Sequence, residues 1–196
     1  MKNKQYRMKN SNLKSNITLA ALLALPFASH AYAFCDETSS FLDRACKTVK
    51  DTWGQGENSI YVPLHAYHLR SAYDKEKIDS FNENTYGIGY GRTRYDEKKN
   101  QDEVYAMAFH ESHSKPEYIV GYAHQWILGA PTELHAGLGY TAFLTTRTDV
   151  MHYTPIPGIL PIASVGYSKV SINTTFMPGG NGNGNVFFFW SKIDFK

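Results

Sequence analysis

The sequence predicts an all-β protein, an eight-stranded antiparallel outer-membrane β-barrel with an N-terminal amphipathic α-helix. Three observations favour this fold. The chain of 196 residues contains 14 Tyr, 11 Phe and 15 Gly, and aromatic-rich strands with glycine are typical of membrane barrels. After residue 56 the chain divides into eight strand-like runs separated by turn signals, and eight strands suffice to close such a barrel. The chain ends in VFFFWSKIDFK, whose penultimate Phe195 is similar to the terminal aromatic of outer-membrane barrels.

The first 33 residues are predicted to be a signal peptide that is cleaved on export. A basic segment beginning at Lys2 precedes an apolar run over residues 17–28, which is shorter than the ~20 residues needed to span a bilayer. Small residues at the spacing that signal peptidase recognises predict cleavage after Ala33, with Ala31 as the alternative site. The predicted organisation is a signal peptide at 1–33, a helical segment at 34–56 and a barrel at 57–196.

The segment after the signal peptide is predicted to form one helix, capped by Ser39 or Ser40 and ended by Gly54 and Gly56. Its apolar side chains fall on one stripe at helical period, opposite charged residues. Two interpretations remain open. The helix packs against a core, or it lies in the membrane interface with Trp53 as its anchor.

The two cysteines, Cys35 and Cys46, would share an oxidising compartment, where a disulfide is permitted. On one continuous helix they would lie ~16 Å apart along the axis, whereas a disulfide allows at most ~7 Å between the two Cα atoms. A bridge therefore requires the chain before Ser39 to fold back, and the sequence leaves the pairing open.

The strand-like runs contain apolar residues that a water-soluble barrel would not tolerate on its outside. Water-soluble barrels can also have eight strands, so the strand count alone does not identify a membrane barrel. VFFFW places aromatic residues on both faces of the last strand, and such an outer surface favours lipid surroundings. No further helix is predicted after Gly56. The predicted strands span approximately residues 59–72, 84–95, 103–112, 117–128, 133–146, 157–167, 168–177 and 185–195.

Two prolines stand inside predicted strands, Pro63 in IYVPLHAYH and Pro161 in GILPIASVGY. Proline has no N–H to donate to a ladder, so it is found at strand edges, strand starts and bulges. A closed barrel has no edge. Each proline therefore predicts a local gap in the hydrogen-bonded wall, either a simple bulge or a lateral opening for a lipid chain.

The third strand ends in AFHESH, where an apolar run turns abruptly polar at His110, Glu111, Ser112 and His113. A polar strand end is ordinarily the rim of a barrel in contact with water. The same residue types could also catalyse acyl transfer, with an imidazole as the base, a carboxylate to orient it and a hydroxyl as nucleophile or hydrogen-bond donor. Histidines three residues apart point to opposite faces of a strand, so the pairs His65/His68 and His110/His113 do not predict a metal site.

Several longer motifs resemble the lipid A palmitoyltransferases (PagP), in order from the helix to the C-terminus. They are YHLRSAYDKEKIDSFNE, YGIGYGRTRYDEKKN, HAGLGYTAF, LPIASVGY and NGNVFFFW. The resemblance covers essentially the whole mature chain. It implies an eight-stranded outer-membrane barrel that transfers an acyl chain, usually palmitate, from the sn-1 position of a phospholipid to a hydroxyacyl chain of lipid A. It implies no metal and no soluble cofactor.

The resemblance also implies the catalytic residues. The family histidine matches His68 and the family serine matches Ser112. The family aspartate falls on Glu111, which keeps the carboxylate but lengthens the side chain by one methylene. Glu111 and Ser112 are consecutive, so they point to opposite faces unless the strand ends there.

Substrate-binding residues are implied in the same way. Lys77 matches a basic residue associated with lipopolysaccharide recognition, and a cation there could pair with a lipid A phosphate. Ala123 stands where palmitate-selecting relatives have glycine at the bottom of an acyl-measuring pocket, which predicts a preference slightly shorter than palmitate. The lateral lipid gates are implied at Pro63, Pro161, Pro178 and Asn181, with Thr85 in place of a fourth gate proline.

The formal net charge of +2 shows no basic excess of the kind that binds nucleic acid. The expected partners are a phospholipid donor and lipid A or lipopolysaccharide as acceptor, for a monomer in the outer membrane of a Gram-negative cell. The alternative is a non-enzymatic outer-membrane barrel that binds lipid or stiffens the envelope.

Overall fold

A computed structural model describes residues 41–147 and 154–196. The predicted signal peptide and Cys35 lie outside the described residues. Helix α1 spans Phe41–Gln55, and Cys46 within it is disulfide-bonded. From Thr48 onward the chain forms one compact unit. No helix of the described part of the chain is long and apolar enough to cross a membrane.

Eight antiparallel strands form a closed barrel in the order β1 to β8, with β8 pairing back onto β1. This confirms the predicted fold class. The alternation of residues in each run and the turn chemistry between runs produce the register that closes the sheet. The strands are β1 Glu57–His68, β2 Gly87–Tyr95, β3 Gln101–His110, β4 Pro116–Gly129, β5 Leu134–Thr146, β6 Ile156–Tyr167, β7 Val170–Met177 and β8 Val186–Phe195.

The connection between β1 and β2, residues 69–86, is here called the mouth loop. The predicted first strand, 59–72, was too long at its C-terminal end, because β1 ends at His68 and a 3₁₀ turn follows at Arg70–Ala72. A short helix, α2, covers Lys75–Asp79, so the expectation of no helix after Gly56 was also wrong. Both short elements lie off the barrel wall, where strand pairing no longer constrains the backbone. The mouth loop lies at the same end of the barrel, the mouth end, as residues 111–115 and 178–185.

The outer face of the barrel is apolar and exposed. Side chains at alternate positions point outward, and Ile88, Trp126, Leu128, Leu138 and Ile159 each have more than half of their surface exposed. A continuous apolar surface of this kind suits contact with lipid rather than water. At the C-terminal end of α1, Trp53 is half exposed and packs edge-on against Tyr90, at 6.4 Å between ring centroids. This position suits an interfacial anchor.

The two strand prolines lie where the wall loses its ladder. β1 pairs with β2 only over Glu57–Tyr61, so pairing stops two residues before Pro63. Its pairing with β8 also shifts register between Pro63 and His65. β6 pairs with β7 only from Ile162 onward, immediately after Pro161. Because proline donates no hydrogen bond, the closed wall has interruptions at both positions.

The end of the barrel opposite the mouth, here called the closed end, is filled by a buried polar cluster. Lys192 has almost no exposed surface, and its Nζ lies 3.4 Å from Glu103 Oε1 and 3.3 Å from Asp194 Oδ2. Tyr61 donates a hydrogen bond of 2.9 Å to Glu103. Ser59 donates one of 2.7 Å to Asp194. The cluster joins β1, β3 and β8 and occupies the interior of the barrel at this end.

Replacing Lys192 with Met should destabilise the barrel by about 3–5 kcal/mol, because two buried carboxylates lose their cation. Lys169→Met is the matched control, since the Lys169–Glu57 pair is largely exposed and such pairs contribute about 0–1 kcal/mol. Urea unfolding of the barrel folded in detergent measures both. Equal stabilities of the two variants would contradict the prediction, and Glu103→Gln added to Lys192→Met should recover part of the loss.

Candidate active site

The mouth-end half of the barrel encloses a cavity of about 400 Å³. Its wall is mainly apolar, and His68, Glu111 and Ser112 line its opening. A deep apolar cavity with a few polar groups at one end suits a ligand with a long hydrocarbon chain and one reactive group. The main apolar lining residues are Met107, Phe109, Ile119, Phe143, Leu160, Met177, Phe188 and Trp190.

His68 and Ser112 meet at the opening of this cavity. β1 and β3 run in the same direction around the barrel and end at His68 and His110, so residues just after both strands lie at the mouth. The distance from His68 Nε2 to Ser112 Oγ is 3.3 Å. The structure therefore brings together the imidazole and the hydroxyl that the family resemblance pairs, although they are 44 residues apart in the chain.

The carboxylate beside His68 belongs to Glu83 in the mouth loop. Glu83 Oε1 lies 3.1 Å from His68 Nδ1 and accepts a 3.0 Å hydrogen bond from the His68 backbone N–H. The Arg70 guanidinium donates to both Glu83 oxygens, at 2.8 and 2.5 Å. Partial burial raises the pKa of Glu83, but these hydrogen bonds outweigh it and lower the pKa to about 2. The carboxylate is therefore ionised at neutral pH.

Glu111 lies in the same opening but has different partners. Its Oε2 is 2.8 Å from His113 Nδ1 and 3.2 Å from an Arg147 nitrogen. β3 ends at His110, and hydrogen bonds between Glu111 and Lys115 and between Ser114 and Glu111 form a turn. This turn allows both Glu111 and Ser112 to line the cavity.

Sequence reasoning missed Glu83. The sequence signal for Glu83 is its place at the end of the motif YHLRSAYDKEKIDSFNE, in which Arg70 carries the opposite charge.

Aromatic side chains enclose the His68 ring. Phe81 stacks on it with ring centroids 4.2 Å apart, and Tyr73 packs edge-on at 5.4 Å. Tyr73 and Phe81 both come from the mouth loop, and Phe81 also contacts His113. The imidazole is thus held on its faces by rings and at Nδ1 by a carboxylate, which leaves Nε2 directed at Ser112.

Lys77 joins the mouth loop to the connection between β7 and β8. Its Nζ donates a 2.5 Å hydrogen bond to the Gly182 carbonyl oxygen. The Gly182 N–H in turn donates to the Ala72 carbonyl oxygen at 2.8 Å, and Tyr73 donates to the Gly184 carbonyl oxygen. Lys77 is exposed and lines the opening. Pro178 and Asn181 lie on the same exposed connection, next to the interruption at Pro161.

Ala123 is buried opposite the floor residue Thr141, outside the cavity lining. The Tyr105 hydroxyl and Thr141 Oγ1 are 2.6 Å apart and line the cavity, whereas Ala123, the strand partner of Thr141, is not among the lining residues. The Tyr105 ring lies flat against Gly121, where a Cβ would come within 2.7 Å of it. Tyr105 and Thr141 therefore form the surface that the end of a bound chain would meet.

Thr85 lines the cavity beside the interruption at Pro63. Its side chain is buried, and its Oγ1 has no hydrogen-bond partner within the described residues. The position that the family resemblance assigns to a gate proline thus carries a buried hydroxyl in the cavity wall.

Comparison with known proteins identifies the family. Residues 48–192 match the family described as "Antimicrobial peptide resistance and lipid A acylation protein PagP". The chain belongs to this family. The match includes every site residue described above and confirms the resemblance drawn from the sequence motifs.

Relatives are similar over most of the chain. A protein named "Lipid A acyltransferase PagP" from Methylobacillus flagellatus is 50% identical over 179 residues, which cover 91% of this chain and 96% of the relative. Proteins of the same name from Bordetella pertussis and Edwardsiella tarda are 44% and 43% identical, covering 89% and 92% of this chain and 96% and 98% of theirs.

The Glu83 carboxyl should titrate with a midpoint near 2, well below its ordinary value, because Arg70 and the His68 N–H stabilise its charge. Arg70→Ala should move the midpoint up toward 4.5. The pKa of Glu83 is lower in the folded protein than in the unfolded chain. Its contribution to the stability of the fold is therefore complete above about pH 4.5 and is lost as the pH falls toward 2. Carboxyl ¹³C NMR of the barrel folded in detergent measures both midpoints.

Lys75→Ala is the control for this titration, because Lys75 is an exposed cation of the same loop and should leave the midpoint unchanged. A wild-type midpoint near 4.5 would show that the Arg70–Glu83 pair does not form in solution.

Proposed function

We propose that this chain is an acyltransferase of the outer membrane that moves one acyl chain, palmitate or slightly shorter, from the sn-1 position of a phospholipid to a hydroxyacyl chain of lipid A. The observation that carries the proposal is the 3.3 Å contact between His68 Nε2 and Ser112 Oγ at the opening of a deep apolar cavity. The name shared by the relatives, lipid A acyltransferase, supports the choice of reaction and acceptor.

The shape of the cavity accounts for how the donor would bind. The acyl chain lies along the apolar wall with its end against Tyr105 and Thr141, and the polar cluster around Lys192 prevents deeper entry. The ester of the donor then reaches the opening, beside His68 and Ser112. A single lipid chain can enter sideways where the wall is interrupted, at Pro63 and between Pro161 and Pro178. Asn181 lies on the β7–β8 connection, which borders the interruption at Pro161.

The chemistry requires a base for an attacking hydroxyl and stabilisation of the oxyanion that forms at the ester carbonyl. His68 Nε2 takes the hydroxyl proton as the oxygen bonds to the carbonyl carbon, and it returns the proton to the glycerol oxygen that leaves with the lysophospholipid. The attacking hydroxyl is that of Ser112, giving an acyl-enzyme that lipid A then resolves, or that of lipid A directly, with Ser112 as a hydrogen-bond donor.

The remaining predicted residues have supporting roles in this proposal. Glu111 holds Arg147 and His113 and so orders the turn that carries Ser112. Lys77 presents a cation at the opening, where a lipid A phosphate would lie. No step of this scheme uses a metal or a soluble cofactor, and one barrel is sufficient for the reaction.

Reconstituted barrel in vesicles of phospholipid and lipid A should add one acyl chain to lipid A and release lysophospholipid, both detected by mass spectrometry. His68→Ala and Ser112→Ala should lower the turnover by roughly 10²–10⁴-fold, the range of general acid–base catalysis. His65→Ala, in the same strand, is the control and should keep wild-type turnover.

Absence of acylated lipid A with the wild-type barrel would instead favour a non-enzymatic lipid-binding barrel. Wild-type turnover in both the His68 and Ser112 variants would exclude these residues as the catalytic pair while leaving the activity in place.

The wild-type protein should prefer a donor chain about one methylene shorter than palmitate, and Ala123→Gly should restore palmitate use. Ala123 is buried opposite Thr141, so removing its methyl group adds space beside the Tyr105–Thr141 floor. One methylene is worth ~1–3 kcal/mol, or ~10–200-fold in selectivity. Competition between phospholipids graded by one methylene measures the preference.

Ala136→Gly is the matched control, because Ala136 is exposed in the neighbouring strand β5. It should not change the preferred length. Undiminished palmitate selectivity in the wild type would show that Ala123 does not set the depth of the cavity.

A further inference from the structure

Glu83 is held more firmly than a surface loop residue would be. Its carboxylate receives hydrogen bonds from the Arg70 guanidinium and from the His68 backbone N–H, and its own carbonyl oxygen accepts from the Ala66 N–H at 2.8 Å. Ala66 and His68 are the β1 residues whose N–H groups lose their β2 partners beyond Tyr61. Glu83 therefore fills part of the interruption that follows Pro63, and this fixes its position relative to the His68 ring.

The contact at Nδ1 determines which imidazole nitrogen carries the proton. An ionised carboxylate can only accept hydrogen bonds. At 3.1 Å from Glu83 Oε1, Nδ1 must therefore be the donor in the neutral ring, and the lone pair is left on Nε2. Nε2 is the nitrogen that faces Ser112 at 3.3 Å. A base that takes a proton from a hydroxyl at this position needs its lone pair there.

The same contact favours the charged ring that forms during the reaction. When Nε2 accepts a proton, the imidazolium lies against the Glu83 carboxylate in a site where His68 is 4% exposed. In a buried site of this kind, contact with an opposite charge stabilises an ion more than the same contact does in water. The side chains that face the ring are Arg70, Tyr73, Phe81 and Glu83 from the mouth loop and Ser112 after β3.

We propose that Glu83 is the positioning carboxylate of the acyl transfer, holding His68 in the Nδ1–H tautomer and stabilising its imidazolium, and that Arg70 holds Glu83 in place. Glu111, which occupies the position of the family carboxylate, acts instead on Arg147 and the 111–115 turn. The inference rests on the proposed function. Glu83 does not touch the substrate, so it acts through His68.

The test compares Glu83→Gln, Glu83→Ala and Glu83→Asp in the reconstituted barrel. Glu83→Gln and Glu83→Ala should lower kcat by about tenfold or more, as part of the ~10²–10⁴-fold from general acid–base catalysis, with KM nearly unchanged. The acidic limb of the kcat/KM profile should move to lower pH, because the charged imidazole loses its counter-ion. Glu83→Asp should recover much of the rate. Glu76→Gln, an exposed glutamate of the same loop, is the control at wild-type rate.

A second measurement uses the wild-type barrel alone and so does not depend on how the variants fold. In ¹⁵N NMR of this barrel, the neutral His68 ring should carry its proton on Nδ1. Detection of the Nε2–H tautomer in the wild type would overturn the proposal.

Wild-type kcat and pH profile in folded Glu83→Gln would also overturn it, as would a loss confined to KM or thermal stability. These outcomes are distinguishable from failure of the proposed function, in which the wild-type barrel itself transfers no acyl chain.

Discussion

The closed ring of backbone hydrogen bonds is the constraint on which the rest of the structure depends. In lipid every backbone donor and acceptor must find a partner within the protein, and a closed sheet provides this along its whole circumference. Pro63 and Pro161 interrupt the ring on nearly opposite strands, β1 and β6. Each interruption is partly compensated from the mouth end. Glu83 satisfies N–H groups of β1, and Thr175 donates to the Pro161 carbonyl oxygen at 2.7 Å. A wall that is interrupted in two places therefore regains some of its lost hydrogen bonds, and one of the compensating residues, Glu83, lies against the His68 imidazole.

The interior of the barrel separates into two halves because of where its charges lie. At the closed end Lys192, Glu103 and Asp194 are buried together, and a charge cannot be taken out of water without such partners. At the mouth end the inward positions are apolar, so space remains that a hydrocarbon chain can fill. The boundary is the Tyr105–Thr141 hydrogen bond. A hydrocarbon chain in the cavity would therefore end at a polar contact between two strands, and Gly121 lets the Tyr105 ring lie close to the wall there.

The sequence allowed prediction of the strands better than of the site, for a physical reason. Alternation of side chains and turn residues are local properties, so the eight strands, the turn at Pro178–Asn185 and the polar end of β3 could all be read from neighbouring residues. The end of β1 could not, because it depends on where two other strands stop pairing with it: β2 is lost after Tyr61, and β8 pairs as far as His68. The family motifs supplied His68 and Ser112 as residue types at matching positions. They include both Glu83 and Arg70 but do not show that the two side chains meet beside His68, because that depends on the fold of the 18-residue mouth loop.

The two glutamates at the opening illustrate why residue type and position along the chain do not by themselves assign a role. Glu111 lines the cavity, whereas Glu83 contacts the cavity-lining His68, and each has an arginine, Arg147 for Glu111 and Arg70 for Glu83. They differ in which histidine they contact. The partner of Glu111 is His113, whose side chain is half exposed, so water competes for that contact. The partner of Glu83 is His68, which is buried and points its other nitrogen at a hydroxyl. The electrostatic effect of a carboxylate on proton transfer depends on its contact with the ring that would move the proton and on the burial of that ring. The carboxylate in contact with the buried His68 ring is that of Glu83.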